Sequence, residues 1–243
     1  MTRRVLVTRT PEDCRELEEL AAPHGIRIEP YPVLRFEPVE AADGWHAALD
    51  TEARARRAGR ERWLLLASPR AARPLVEQAA RHGGEDLLTL PVAAVGRATA
   101  RSAREAGLRV ELAGPGTGSG LAAELVARCA GPALFVFACG ADRRRELPDA
   151  LRAAGHAVTE LEVYRMRRLP PAALPAPAAE IDAVVLTSPR SARYYLENLG
   201  GPLACPHFAL GPTTRDAAAA LGISCRIPAR PEMEALVEEL CTI

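Results

Sequence analysis

The chain repeats itself at long range, in an order that leaves few architectures open. Leu64-Leu65-Leu66-Ala67-Ser68-Pro69-Arg70-Ala71-Ala72-Arg73 returns as Val184-Val185-Leu186-Thr187-Ser188-Pro189-Arg190-Ser191-Ala192-Arg193. Further along each copy, Ala94-Val95-Gly96-Arg97-Ala98-Thr99 is echoed by Ala209-Leu210-Gly211-Pro212-Thr213-Thr214. A short helix-like stretch and a glycine, Gly107 or Gly222, follow each echo, and each half closes on a helix, expected over 121–129 and 232–241. The opening unit repeats as well. Val5-Leu6-Val7, a helix over 11–22, Gly25 and a second strand are matched by Leu134-Phe135-Val136-Phe137, a helix ending near Ala154, Gly155 and a strand over 158–164. Residues 1–129 and 132–243 read as two copies of one plan, with a period too long for a solenoid.

Within each copy the grammar is strand, turn, helix, strand. Short continuous apolar runs at 5–7, 63–67, 92–95, 134–137, 183–186 and 208–210 carry the signature of parallel strands buried on both faces. Helical stretches of about 10–12 residues alternate with them, which argues for βαβ units and an α/β fold. Residues 31–38 and 161–169 are extended, Pro-flanked and partly polar, and are the candidate crossings between two domains. Residues 170–177, rich in Ala and Pro, read as a stiff connector. The charged stretch 50–62 reads as an exposed helix with its loop.

Composition removes several function classes. The 31 basic residues balance 31 acidic ones, so bulk charge does not point to nucleic acid or a membrane surface. All the basic residues are arginine. Schiff-base chemistry needs a lysine, so pyridoxal-phosphate enzymes and lysine aldolases are excluded, as is a P-loop. The apolar run near the N-terminus is too short for a signal peptide, and no segment approaches a membrane span. Six scattered cysteines without a C-x-x-C motif and five scattered histidines do not space as a metal site. Reduced thiols in a cytoplasmic protein, without a structural zinc or a disulfide framework, are the expectation. The glycine-rich stretch 114–120 fails the dinucleotide spacing, because Ser119 or Leu121 stands where the third glycine belongs.

The chemistry is expected where strands hand over to helices. Ser68-Pro69 and Ser188-Pro189 place serine at an N-cap and proline at the first helical position, and Thr10-Pro11-Glu12-Asp13 follows the same logic. The stretches 115–119 and 228–231 open the last helices of the two halves. In an open parallel sheet all such junctions lie along one edge. Each helix start there offers unpaired N–H groups and a partial positive charge, an edge suited to anions. Arg9, Arg70, Arg97 and Arg190 lie at the junctions and add charge-assisted bonds. Two such edges facing each other would bind a ligand bearing many carboxylates or phosphates.

The residues that carry these junctions also resemble a known family. Val5-Leu6-Val7-Thr8-Arg9, Leu66-Ala67-Ser68-Pro69, Val95-Gly96-Arg97-Ala98-Thr99-Ala100, Gly140-Ala141-Asp142-Arg143 with Leu151 and Gly155, Val163-Tyr164, Leu186-Thr187-Ser188-Pro189 and Ala209-Leu210-Gly211-Pro212-Thr213-Thr214 together resemble the uroporphyrinogen-III synthases, in the right order over nearly the whole chain. The resemblance implies two similar α/β domains of flavodoxin-like or Rossmann-like type, with parallel sheets flanked by helices, joined by a two-stranded β-ladder, the second inserted in the first. Here that places domain one at 1–35 plus 171–243, domain two at 40–162, and the linkers at about 31–39 and 161–170. The implied reaction is the cofactor-independent closure of hydroxymethylbilane to uroporphyrinogen III, with loss of water and inversion of ring D through a spirocyclic intermediate. The implied substrate, an acid-studded linear tetrapyrrole received from hydroxymethylbilane synthase, is the polyanion the junctions call for.

By the same resemblance Tyr164 assists departure of the hydroxyl. Thr8, Ser68, Thr99, Ser188 and Thr213, with the adjacent Gly96, Thr187, Pro189, Gly211 and Pro212, match substrate-lining positions. Where the family often carries Arg-Gly, this chain has Ala138-Cys139-Gly140, so a carboxylate contact there falls to Arg143, Arg144 or Arg145. The rival readings are a non-catalytic two-domain small-molecule-binding protein and a nucleotide-binding α/β enzyme. No large apolar stretch demands a partner, so a monomer is the default.

Overall fold

The computed structural model describes residues 2–174, 177, 180–230 and 232–243. Expectations that fall on 175–176, 178–179 and Pro231, parts of the Ala/Pro-rich connector and of the turn before the last helix, lie outside the described residues. In chain order the elements are β1 (Arg3–Val7), α1 (Pro11–Ala21), β2 (Ile26–Pro30), β3 (Leu34–Pro38), α2 (Ala42–Arg57), β4 (Arg62–Leu66), α3 (Ala72–His82), α4 (Glu85–Leu88), β5 (Val92–Ala94), α5 (Arg97–Glu105), β6 (Val110–Ala113), α6 (Gly118–Arg128), β7 (Leu134–Gly140), α7 (Glu146–Ala153), β8 (Ala157–Arg168), β9 (Ala183–Leu186), α8 (Pro189–Leu199), β10 (His207–Ala209), α9 (Pro212–Ala219), β11 (Cys225–Arg226) and α10 (Met233–Leu240). They form two compact units, one of Met1–Arg35 with Arg167–Ile243 and one of Phe36–Met166, and the chain passes from one to the other within β3 and again within β8. None of the described helices is long and apolar enough to cross a membrane.

The first unit holds a parallel sheet in the order β11-β10-β9-β1-β2. The second holds β6-β5-β4-β7-β8, also parallel, with β3 added at the edge beside β8. The two orders match strand for strand once the repeat is laid on them: β9 corresponds to β4, β10 to β5 and β1 to β7. Counted along the chain, however, the first unit reads 2-1-3-4-5 and the second 3-2-1-4-5. These are the flavodoxin-like and dinucleotide-fold orders, and each reverses direction at one point, between β1 and β9 or between β7 and β4. Ligands of open α/β sheets bind outside the carboxyl ends of the strands at that reversal.

The apolar runs form strands because helices cover both sides of each sheet. In the second unit, Leu64, Leu66, Leu134, Val136 and Ala138 pack into one helical layer with Trp45, Leu75 and Leu161, while Trp63, Leu65, Phe135, Phe137 and Cys139 pack into the other with Leu121, Leu125 and Leu151. That alternation is the period-two geometry of a strand, and each fully buried side chain of this size contributes roughly 1.5–3 kcal/mol. In the first unit Val5, Val7 and Val185 face one layer, and Leu6, Val184 and Leu186 the other.

Local expectations shift in three places. The charged stretch 50–62 divides among the end of a longer helix, α2, a loop over 58–61 and the first residue of β4, and α2 buries Trp45, Ala48, Glu52 and Ala55. Their three- and four-residue spacing makes one covered face, and its strongest member, Trp45, lies ahead of the charged window. Ser68-Pro69 opens a 3₁₀ turn before α3, with Ser68 Oγ accepting from the Arg70 amide at 3.3 Å. Helix α6 begins at Gly118, earlier than expected, because Thr117 caps it by accepting from the Gly120 amide at 3.2 Å.

Candidate active site

At the reversal point of the second unit a cavity of about 520 Å³ opens beyond the strand ends. Ala67 and Ser68 enter it from the end of β4, and Phe137 to Gly140 from the end of β7. Gly116 to Ser119 come from the loop and first turn of α6, Asp142 to Arg144 from the β7–α7 turn, and Tyr164 from β8. Gly116 holds φ at +101° there, a left-handed conformation that glycine adopts at little cost. That turn lets Gly116 lie so close to the next loop that a Cβ on Gly96 would meet its Cα at 3.1 Å.

Arg143 and Arg144 line the cavity, Arg145 follows them in the chain, and the surroundings of the three differ. Arg143 is held by Glu160 and by Glu162, the latter at 2.6 Å. Glu160 also accepts from Arg152 at 2.7 Å. Burial pushes the Glu160 carboxyl up, but hydrogen bonds from Arg152 and Arg143 outweigh it and leave its pKa below the ordinary value. Arg145 pairs with Asp149 at 3.2 Å, one helical turn on. Arg144 is exposed, lines the cavity and has no ion-pair partner among the described residues. Cys139 also lines the cavity. Burial pushes its thiol up to about 12, and its S–H points to the Leu161 carbonyl at 3.7 Å.

Tyr164 is half-buried, stacked on Phe36 with ring centroids 5.3 Å apart, and its hydroxyl has no hydrogen-bond partner among the described residues. A polar group that finds no partner within the protein and lines a cavity is free to serve a ligand.

The other expected residues fall into two groups. Thr8 and Thr187 fasten the reversal point of the first unit. The Thr8 hydroxyl donates to the Val185 carbonyl at 3.2 Å and accepts from the Thr187 amide at 3.2 Å, while the Thr187 hydroxyl donates to the Thr8 carbonyl at 3.3 Å. Ser188 forms a capping box with Ser191 at the start of α8, beside Pro189 and the half-buried Arg190. Thr8 and Thr99 are buried, at 4% and 3% exposure, so neither side chain stands open to a ligand.

Exposed groups make up the second set. Arg97, Pro212 and Thr213 stand at the surface in the first turns of α5 and α9, and Arg70 is exposed beside Ser68. Arg9 is half-buried after β1. Helices α5 and α9, equivalent in the repeat, start at Gly96 and Gly211 without any side-chain cap. The Arg97, Ala98 and Thr99 amides of α5 meet no partner among the described residues, whereas in α9 Pro212 has no N–H and the Thr214 amide donates to the Gly211 carbonyl at 3.1 Å, which leaves the Thr213 amide; those of α1, α6 and α8 are partly met by Thr10, Thr117 and Ser188. Of the residues expected from sequence, the cavity of the second unit takes Ser68, Arg143, Arg144 and Tyr164. It adds Thr117, Ser119 and Cys139. The cap-and-glycine pattern at 115–120 was the available signal for the first two of these.

Among known proteins, a family model described as uroporphyrinogen-III synthase HemD matches residues 15–238. No curated protein sequence matches the chain. Among solved structures, uroporphyrinogen-III synthetase from Helicobacter pylori is 14% identical, with a TM-score of 0.71 over 99% of this chain and 99% of that one. A mutant uroporphyrinogen III synthase from Thermus thermophilus is 19% identical, with a TM-score of 0.61 over 98% of this chain and 97% of that one. At such identities the likeness concerns the two-sheet α/β fold.

Proposed function

The chain belongs to the uroporphyrinogen-III synthase family, cyclising lyases of tetrapyrrole biosynthesis, and we propose that its substrate is hydroxymethylbilane, received in the cytoplasm from hydroxymethylbilane synthase and closed to uroporphyrinogen III with inversion of ring D. The observation that carries this reading is the phenol of Tyr164, unpartnered among the described residues, on the wall of a cavity of about 520 Å³ at a sheet reversal point, beside the exposed guanidinium of Arg144.

The bilane is electron-rich and loses its hydroxyl readily. The C–O bond breaks, the pyrrole nitrogen feeds electrons into the methylene carbon, and the oxygen leaves as water once it has gained a proton. Tyr164 donates a hydrogen bond to that departing oxygen. The substituted carbon of ring D then attacks the methylene carbon, giving the spirocyclic intermediate whose rearrangement inverts the ring. Left alone, the bilane closes at the unsubstituted carbon instead, so the enzyme's work is orientation, and positioning supplies roughly 7–11 kcal/mol in favourable cases.

Acetate and propionate groups are the handles. Arg144 takes one in the cavity, and the first-turn amides of α5 and the Thr213 amide of α9 take others, with Arg9, Arg70, Arg97 and Arg190 as charge-assisted contacts. Thr8, Thr187 and Thr99 serve through the main chain, because their side chains are buried or bonded within the fold. The step calls for no cofactor.

The test is an isomer assay. The purified chain is mixed with freshly prepared hydroxymethylbilane, and the products are oxidised to porphyrins and separated. The expected result is type III isomer in excess over the spontaneous type I, and type I alone at every enzyme concentration overturns the proposal.

A further inference from the structure

We infer that Gly140 and Phe36 are positioning residues for Tyr164, and that a bulge in the β7–β8 ladder turns the phenol to the cavity. The inference rests on the reading of Tyr164 as a substrate contact. The ladder runs in step from Leu134 opposite Ala157 to Cys139 opposite Glu162, and then Gly140 pairs with Tyr164, so that Val163 has no partner of its own. An extra residue in one strand re-aims the side chains that follow it. Here Val163 stays buried with Leu161 in the core, while Tyr164 moves up opposite the last residue of β7. The Ala141 amide donates to the Tyr164 carbonyl at 2.9 Å and pins the backbone in that place.

With the backbone pinned, only packing aims the ring, because the hydroxyl has no partner among the described residues. The ring lies against the backbone of Gly140. A methyl group at that position would stand 2.7 Å from Cζ, 2.8 Å from Cε2 and 2.9 Å from the hydroxyl oxygen. Ordinary carbon contacts lie at about 3.5–4.0 Å, so the ring has to move by about 1 Å to admit the methyl. Gly140 holds no left-handed conformation, so its role is close approach and not backbone freedom. Phe36, stacked at 26° to the tyrosine ring, restricts it further. A displacement of about 1 Å at a reacting group costs up to about a hundredfold in rate.

The experiment is a double-mutant cycle between Gly140→Ala and Tyr164→Phe, read as kcat and KM for type III formation. Gly140→Ala lowers kcat about ten- to a hundredfold and leaves KM within about twofold. Added to Tyr164→Phe, it lowers kcat less than about threefold further, because a misplaced phenol cannot be lost twice. Phe36→Leu, which keeps apolar bulk without the stacked ring, gives a smaller loss with the same non-additivity and serves if Gly140→Ala does not fold. Effects that multiply across the cycle overturn the inference and leave Tyr164 as a substrate contact. An unchanged kcat for Tyr164→Phe alone overturns the reading of Tyr164, and the inference falls with it.

Discussion

Replacing Tyr164 by phenylalanine removes one oxygen from the cavity wall and keeps the ring that packs on Phe36 and Gly140. Nothing inside the described residues depends on that oxygen, so no donor or acceptor is orphaned and the change in stability stays within about 0.5 kcal/mol. The loss appears only with substrate in place. As the C–O bond stretches, the leaving oxygen gains negative charge, and the bond from the phenol becomes charge-assisted. Hydrogen bonds of that kind contribute about 1.5–3 kcal/mol, and each 1.36 kcal/mol is tenfold in rate, so kcat falls by ~10- to ~150-fold. Turnover is not abolished, since the bilane sheds its hydroxyl without help and the amides and Arg144 still orient it. Type III remains the enzymatic product for the same reason. The assay is initial-rate porphyrin analysis with the spontaneous type I closure subtracted, alongside thermal unfolding of both proteins. A kcat within twofold of wild type, with folding intact, refutes the assignment of the phenol to the departing oxygen.

Arg144→Met raises KM about fivefold at low salt with kcat little changed, and the effect shrinks as added salt screens the wild-type contact; Arg145→Met, whose guanidinium is already held by Asp149, moves KM less than about twofold. Steady-state kinetics at two ionic strengths separates the two, and equal effects remove Arg144 from the site. A third prediction concerns acid stability in the first unit. His207 is buried, its Nδ1–H donating to the Cys205 carbonyl and its Nε2 accepting from the Tyr195 hydroxyl, each at 2.9 Å. Burial lowers its pKa from the ordinary 6.5, so the folded protein holds the neutral ring while the unfolded chain binds a proton. This contribution is complete above about 6.5 and is lost as pH falls from there toward the lowered value. Urea midpoints between pH 7.5 and 5.5 decline in the wild type, and His207→Gln flattens part of that slope; an identical slope in both proteins contradicts the account.

Much of the frame around the candidate site was legible because its signals are local. A serine or threonine ahead of Pro189 or Pro11 marks a helix start whatever surrounds it, and the capping box at Ser188 and the cap at Thr10 are formed within a few residues of chain. Continuous apolar runs such as Leu64-Leu65-Leu66 specify a strand covered on both sides, which implies helices on both sides and a ligand edge at the strand ends. The repeat and the family-like motif order are likewise properties of the string.

What the string does not carry is which distant segments meet. Thr8 and Thr187 are both threonines after an apolar strand, and only the pairing of β1 with β9 turns them on each other as fasteners. Gly140 is unremarkable until the ladder slips by one residue and lays the Tyr164 ring across it. Arg143, Arg144 and Arg145 are chemically alike in the sequence. Their roles part only through distance to Glu160, Glu162 and Asp149, two of those acids lying on β8, the strand paired with β7. Capping and strand burial are set within a few bonds of the residue concerned, whereas a guanidinium's freedom depends on which carboxylates the folded chain brings within reach of it.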